Sequence, residues 1–154
     1  MRLKVVALAF AITLSACGED ASSPYLDFAG GGFIFNYRNA EAFYGFVAKP
    51  LRRLPEGAVI ETRFDMPGNA PPFVTSEKVV PGQMQYSFKT PFLTGIEKDH
   101  EYKAVMRLLD SSGKELARYE HTFHTDVDQS TLPSKPLVVG PGYQTNPDLG
   151  PSAN

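Results

Sequence analysis

Between Phe33 and about Thr125 the apolar positions recur every second residue, the period of strands whose two faces meet different environments. Phe33, Phe35 and Tyr37 share a face in a first segment, and Tyr44, Phe46 and Ala48 do so in a second. The third runs from Ala58 to Phe64, with Ile60, Thr62 and Phe64 opposite Val59, Glu61 and Arg63. Phe73 to Val80 predicts a weaker fourth strand at a sheet edge. Met84, Tyr86 and Phe88 mark a fifth, Tyr102, Ala104, Met106 and Leu108 a sixth, and Ala117, Tyr119, His121 and Phe123 a seventh. The breaks carry turn chemistry: Leu54-Pro55-Glu56-Gly57, Asp65 to Asn69, Pro81-Gly82, and Asp110-Ser111-Ser112-Gly113, whose spacing suits a type I turn closed by a left-handed glycine. About seven short strands separated by such turns predict an all-β, antiparallel sandwich; strand count alone leaves an open β-barrel as the alternative.

Three features sit outside this pattern. Gly30-Gly31-Gly32 lacks the lysine and hydroxyl residue of a phosphate-binding loop and reads as a flexible lead-in to the first strand. Ala40-Glu41-Ala42 has room for one helical turn, but no stretch sustains an amphipathic helix. Phe43 lies beside Tyr44, so aromatics occupy both faces of the second strand. Both faces cannot enter one core, and the surplus predicts either a contact surface or a layer covered by chain from outside the sheets.

The first residues follow a different logic. Arg2 and Lys4 precede a ten-residue run, Val5 to Leu14, that is apolar but for Thr13. Small Ser15 and Ala16 then lead to Cys17, the one cysteine of the chain. This is the three-part layout of a secretory signal, and the run is short of the roughly 20 residues needed to span a bilayer. Leu14-Ser15-Ala16-Cys17 resembles the lipobox of bacterial lipoproteins. The resemblance implies cleavage before Cys17 and a diacylglycerol on its thiol, often with a further acyl chain on the new amino group. Several acyl chains on one residue hold a protein to a bilayer far more firmly than one. Gly18, rather than Asp, follows the cysteine; the resemblance thereby implies sorting to the outer membrane, facing the periplasm. Residues 1–16 are read as the removed signal, 17–27 as a lipidated tether, 28–127 as the sandwich, and 128–154 as a disordered tail. From Pro133 onward that tail holds five prolines and three glycines among 22 residues.

A second resemblance lies in Leu93-Thr94-Gly95-Ile96 and His100-Glu101-Tyr102-Lys103-Ala104. This stretch looks like the corner before the sixth strand in immunoglobulin-like and fibronectin type III domains, where a tyrosine bonds back to the corner backbone. It implies that role for Tyr102. Tryptophan and a cysteine pair are absent, so Phe46 or Phe64 is expected at the central core position.

Charge narrows the function classes. The chain carries 15 Lys+Arg and 17 Asp+Glu; removing Arg2 and Lys4 leaves 13 against 17, near −4 for the mature protein. With no basic run beyond the pair Arg52-Arg53, nucleic acid is not an expected partner. That pair reads as a solvated turn. His121, His124, Asp126 and Asp128 would suit zinc on a helix, but in a strand His121 and His124 point to opposite faces, so no metal site is expected. His100 reads as a polar loop residue. Glu56, Glu61, Asp65 and Asp99 are the carboxylates from which a pair for glycoside hydrolysis would come, but sequence sets no separation for them. No nucleophile elbow and no cofactor motif occurs.

The expectation that follows is a non-enzymatic binding or assembly module of the cell envelope, partnered by membrane lipid through Cys17 and by an envelope protein. The alternatives are a small, metal-dependent periplasmic hydrolase and a structural accessory subunit of an envelope complex.

Overall fold

The computed structural model describes residues 22–150, and Cys17 and the residues read as a signal and a lipobox lie outside that range. Seven strands form two antiparallel sheets: β1 (Leu26–Asn36), β2 (Glu41–Pro50), β3 (Val59–Phe64), β4 (Phe73–Lys78), β5 (Tyr86–Lys89), β6 (Tyr102–Leu109) and β7 (Glu115–Phe123). One sheet has the order β1-β2-β5 and the other β4-β3-β6-β7. The fold is the expected immunoglobulin-like β-sandwich, and among the described residues no ladder joins the two sheets into a barrel. In the constant-type immunoglobulin order the fourth strand sits with the first, second and fifth. Here β4 pairs with β3 along its whole length, from Val59↔Lys78 to Phe64↔Phe73.

The alternation of the sequence is the alternation of burial. Ala42, Tyr44, Phe46 and Ala48 of β2 are buried, as are Ile60, Thr62 and Phe64 of β3, facing Tyr86, Phe88, Ala104, Met106 and Leu108. Phe46 and Phe64 both occupy the centre, with rings 5.6 Å apart. Each such side chain stabilises the fold by roughly 1.5–3 kcal/mol through the area it removes from water. The core holds together without a disulfide among the described residues because aromatic volume fills the space between the sheets.

Tyr102 sits where the resemblance placed it. Its hydroxyl accepts a hydrogen bond from the Glu97 N–H at 3.0 Å, tying the start of β6 to the corner before it. The Asp110 to Gly113 turn also forms as expected. Asp110 Oδ1 accepts from the Ser112 and Lys114 N–H groups, and Gly113 takes φ of 88°. Those donors hold the Asp110 carboxyl below the usual carboxylate range, the Ser112 side chain first among them.

Four expectations change. The glycine run is not a lead-in: β1 begins at Leu26, and Gly30, Gly31 and Gly32 pair with Val47, Phe46 and Gly45 within the ladder, just past a bulge at Ala29. Ala40-Glu41-Ala42 makes no helical turn. Asn36 Oδ1 accepts from the Arg38 and Asn39 N–H groups, Ala40 takes φ of 55°, and Glu41 already opens β2. Met84 precedes β5 and is three-quarters exposed. Finally, residues 128–150 do not run free. A 3-10 turn at Gln129–Thr131 places Leu132 in the core, and β8 (Val138–Val139) pairs with β9 (Gln144–Thr145). The Leu137 N–H donates to the Arg38 carbonyl at 2.7 Å, and buried Asn146 donates from Nδ2 to the Pro136 carbonyl at 2.7 Å. Proline and glycine forbid long ladders here, but enough donors and acceptors remain to dock the segment against the β1–β2 turn.

Candidate functional site

The two long sides of the sandwich differ. Where β1 meets β7, side chains close the gap. The Tyr119 hydroxyl accepts from the Tyr25 N–H at 2.9 Å, and the Phe28 ring stacks on His121 at 5.1 Å. On the other side β4 and β5 are both edge strands, each with a single ladder partner. The sequence placed β4 at an edge, and it is one. An edge strand carries backbone groups that another chain can pair with.

The outer face of the β1-β2-β5 sheet carries an aromatic cluster. Ile34 pairs across the ladder with Phe43, whose ring lies 6.3 Å from that of Phe92. Ile34 is 51% exposed and Phe92 60%, while Lys89 Nζ sits 5.0 Å over the Phe43 ring. Tyr44, the neighbour of Phe43, points the other way and is fully buried. The aromatic surplus is therefore real. Beside the cluster the same face is low, because Gly45 opposes Gly32 there.

A groove of about 650 Å³ opens at the end of the sandwich where the chain enters β1. Its walls are the β2–β3 loop, with Leu51, Arg52, Arg53 and Leu54, and the β4–β5 loop, with Val80 and Met84; Tyr86 lies below. The loops take this shape for local reasons. Pro50 ends β2, Gly57 and Gly82 adopt left-handed turns, and the Tyr86 hydroxyl accepts from the Val80 N–H at 3.1 Å. The Leu51 N–H donates to the Tyr25 carbonyl at 3.0 Å, and the Arg52 guanidinium lies 3.6 Å over the Tyr25 ring. The groove is thus bound to the stretch of chain just before β1. Its size is that of a small-molecule or side-chain site.

Sequence reasoning took Arg52-Arg53 for a solvated turn and Met84 for a strand residue, and so missed the groove. The signal that points to it is Val80 and Met84 flanking Pro81-Gly82, apolar residues where a turn ordinarily carries polar ones.

The residues weighed for catalysis are not brought together. His121 and His124 are both exposed, His121 against Phe28 and Phe123, and no three His, Cys, Asp or Glu side chains converge as metal ligands among the described residues. His100 packs edge-on to Tyr102, with ring centres 4.7 Å apart. Glu61 is engaged by Arg107, Asp65 Oδ2 accepts from the Lys103 N–H, Glu56 borders the groove, and Asp99 lies at the opposite end. Arg107 also reaches Glu115 at 3.2 Å, and its guanidinium pKa is raised by its hydrogen bonds to Glu61 first and Glu115 second.

No family model and no curated protein matches the chain. Among solved structures it is similar to a crystal structure of wild-type OgpA from Akkermansia muciniphila, at 14% identity and a TM-score of 0.40. That match covers 71% of this chain and 31% of the other.

Proposed function

We propose that this protein is an exported lipoprotein of the cell envelope, held by a lipid on Cys17 and acting as a non-enzymatic binding or assembly module. The lipobox supports the anchor, and Gly18 supports an outer-membrane address facing the periplasm. The observation that carries the binding role is the Ile34–Phe43–Phe92 cluster on the outer face of the β1-β2-β5 sheet. Two of its members spend over half their surface in water although each belongs to a class that folding ordinarily buries. Aromatic anchors of this kind dominate the energetics of protein contacts when a partner desolvates them. A membrane anchor adds to this by concentrating the module where its partner resides.

The test is in-cell crosslinking and pull-down of the full-length protein beside Cys17→Ala and Phe92→Ser, with mass spectrometry of co-purifying proteins. The expected result is an envelope protein captured by the parent chain, lost on Phe92→Ser, and lost or reduced on Cys17→Ala. Absence of any partner, with the parent chain still in the membrane fraction, overturns the assembly role and leaves the anchor standing.

A further inference from the structure

We propose that the free edge of β4 binds an extended acidic peptide of a partner protein, which adds as an antiparallel strand and sets carboxylates against Arg63 and Lys78. This edge belongs to the other sheet from the Ile34–Phe43–Phe92 cluster. The proposal goes beyond the function given above and depends neither on that cluster nor on the Cys17 anchor.

The backbone of β4 offers a slot of defined length. In an antiparallel ladder each residue turns its N–H and C=O to one side, and successive residues alternate sides. The Val79 N–H donates to the Ala58 carbonyl at 2.9 Å, and the Thr75 carbonyl accepts from the Thr62 hydroxyl at 3.5 Å. With the register from Val59↔Lys78 to Phe64↔Phe73, this phase turns Phe73, Thr75 and Glu77 toward β3 and Val74, Ser76 and Lys78 away from it. Among the described residues β3 is the sole ladder partner of β4. Both ends of the outward series are closed. Pro72 has no N–H to offer. The Val80 N–H donates to the Tyr86 hydroxyl at 3.1 Å, and that hydroxyl donates to the Val80 carbonyl at 3.3 Å. Val74, Ser76 and Lys78 therefore remain to pair with an incoming strand, a length suited to a short peptide. Their side chains are exposed on the outer face, alternating with the half-buried ones of Phe73, Thr75 and Glu77.

Charge selects the occupant. Glu61, Glu115 and Glu120 on the outer face of this sheet are all engaged by Lys103, Arg107 or Arg118. Arg63 and Lys78, the cations nearest the free edge, are exposed and have no ion-pair partner among the described residues. Glu77, the acidic residue of β4, accepts from the Gln83 side-chain amide at 3.2 Å, and Asp65 accepts from the Lys103 N–H at 3.1 Å. Arg63 stands opposite Val74 in the β3–β4 register. An incoming residue that faces Val74 thus lies two strand spacings from Arg63, roughly 10 Å, within the joint reach of an arginine and a glutamate. An incoming residue that faces Lys78 meets its ammonium directly. Acidic residues four apart on an extended peptide answer both cations, and opposite charges paired across strands are stabilising. A second copy of β4, paired antiparallel about Ser76, would set Lys78 beside Val74 of the other chain and bring it toward that chain's Arg63. Like charges then meet, and an edge lysine is a usual guard against such pairing.

The experiment uses the full chain in detergent and a short fluorescent peptide of alternating valine and threonine, with two glutamates four positions apart. Glu19 and Asp20 lie outside the described residues and are common to every variant compared. The expected result is a rise in anisotropy that weakens with added salt. Arg63→Gln and Lys78→Gln should each weaken binding by about two- to five-fold, the worth of one exposed ion pair. Hydrogen exchange should slow at the Val74, Ser76 and Lys78 amides when the peptide is bound, and stay as it was at Val80. Ser76→Pro removes an outward N–H that β3 does not use, so it should abolish binding while thermal unfolding stays near that of the parent. Methylating the peptide nitrogen that faces Ser76 tests the same bonds on the unaltered protein. Phe92→Ser should leave the affinity unchanged; loss of the peptide on that substitution would put it on the other sheet and overturn the proposal. Binding without slowed exchange at positions 74, 76 and 78 overturns strand addition. Equal affinity for a lysine version of the peptide overturns the acidic class. A sedimenting dimer with the same amides protected in the absence of peptide overturns it in favour of a second copy, and absence of any binding overturns it outright.

Discussion

Tyr44 shows how one buried hydroxyl couples the sandwich to pH. Its ring packs against Phe33, Phe64 and Phe123, while its hydroxyl donates to the Asp65 carbonyl at 2.7 Å. Burial first, then the nearby Asp65 charge, pushes the phenol pKa above its ordinary value. The group ionises more readily in the unfolded chain than in the folded one. Its stabilising contribution is thus intact below the ordinary tyrosine value of about 10, and is lost as pH rises from there through the raised folded value. Urea midpoints measured across this alkaline range should fall in the parent protein and fall less steeply in Tyr44→Phe. An unchanged slope would assign the alkaline loss to other groups. Tyr102 offers a simpler test. Tyr102→Phe removes the acceptor for the Glu97 N–H and should cost about 0.5–1.5 kcal/mol by denaturant unfolding. This corner was legible in advance because its geometry is local, spanning five residues. The inward faces of β2 and β3 were legible for a related reason: a strand with one buried face prints its period on the sequence. The groove was not legible, because Leu51 and Met84 lie 33 positions apart and meet only after β4 has crossed to β3.

At the scale of elements, the three-stranded sheet depends on places where backbones come unusually close. A Cβ added at Gly45 would sit 2.4 Å from the Phe88 carbonyl oxygen, and one at Gly31 would sit 2.5 Å from the Gly45 oxygen. Neither neighbour is a flexible side-chain tip, so the strands must part to admit a methyl group. Gly30, one position away in the same run, has open space where its Cβ would be. Gly45→Ala should therefore destabilise by about 1–3 kcal/mol, the ordinary range for forced overpacking. Gly30→Ala should be neutral, or stabilise slightly by restricting the unfolded chain. Thermal unfolding of the two variants side by side checks the contrast, and equal effects would mean that glycine here serves flexibility instead of approach. Read as sequence, the three glycines are interchangeable. What separates them is register, which the bulge at Ala29 sets and which no local pattern announces. The docking of residues 128–150 escaped sequence reading likewise, since its decisive bonds run from Leu137 back to Arg38 and from Asn146 to Pro136.

For the whole molecule, the β1–β7 side, closed by side chains, differs from the β4–β5 side, where two edge strands face each other. Under the proposed function the outer aromatic face meets a partner, while the closed side holds the chain that leads to the proposed anchor. That chain is held at Tyr25 by Tyr119, whose hydroxyl accepts from the Tyr25 N–H at 2.9 Å and reaches the Leu26 N–H at 3.4 Å. The Leu51 N–H holds the Tyr25 carbonyl from the opposite direction. Tyr119→Phe leaves the ring but removes the acceptor, so the Tyr25 N–H loses this partner while the Leu51 bond to the Tyr25 carbonyl remains. Global stability should fall by about 1 kcal/mol, the usual cost of one such bond. The Tyr25 and Leu26 amides should exchange with solvent faster than that global loss explains, because the opening is local. Hydrogen exchange of the folded protein separates these rates. If the two amides accelerate only in step with the rest of β1, the seam is held by the Phe28–His121 stack and the Leu26 side chain, and the Tyr119 hydroxyl adds nothing beyond its share of the global fold.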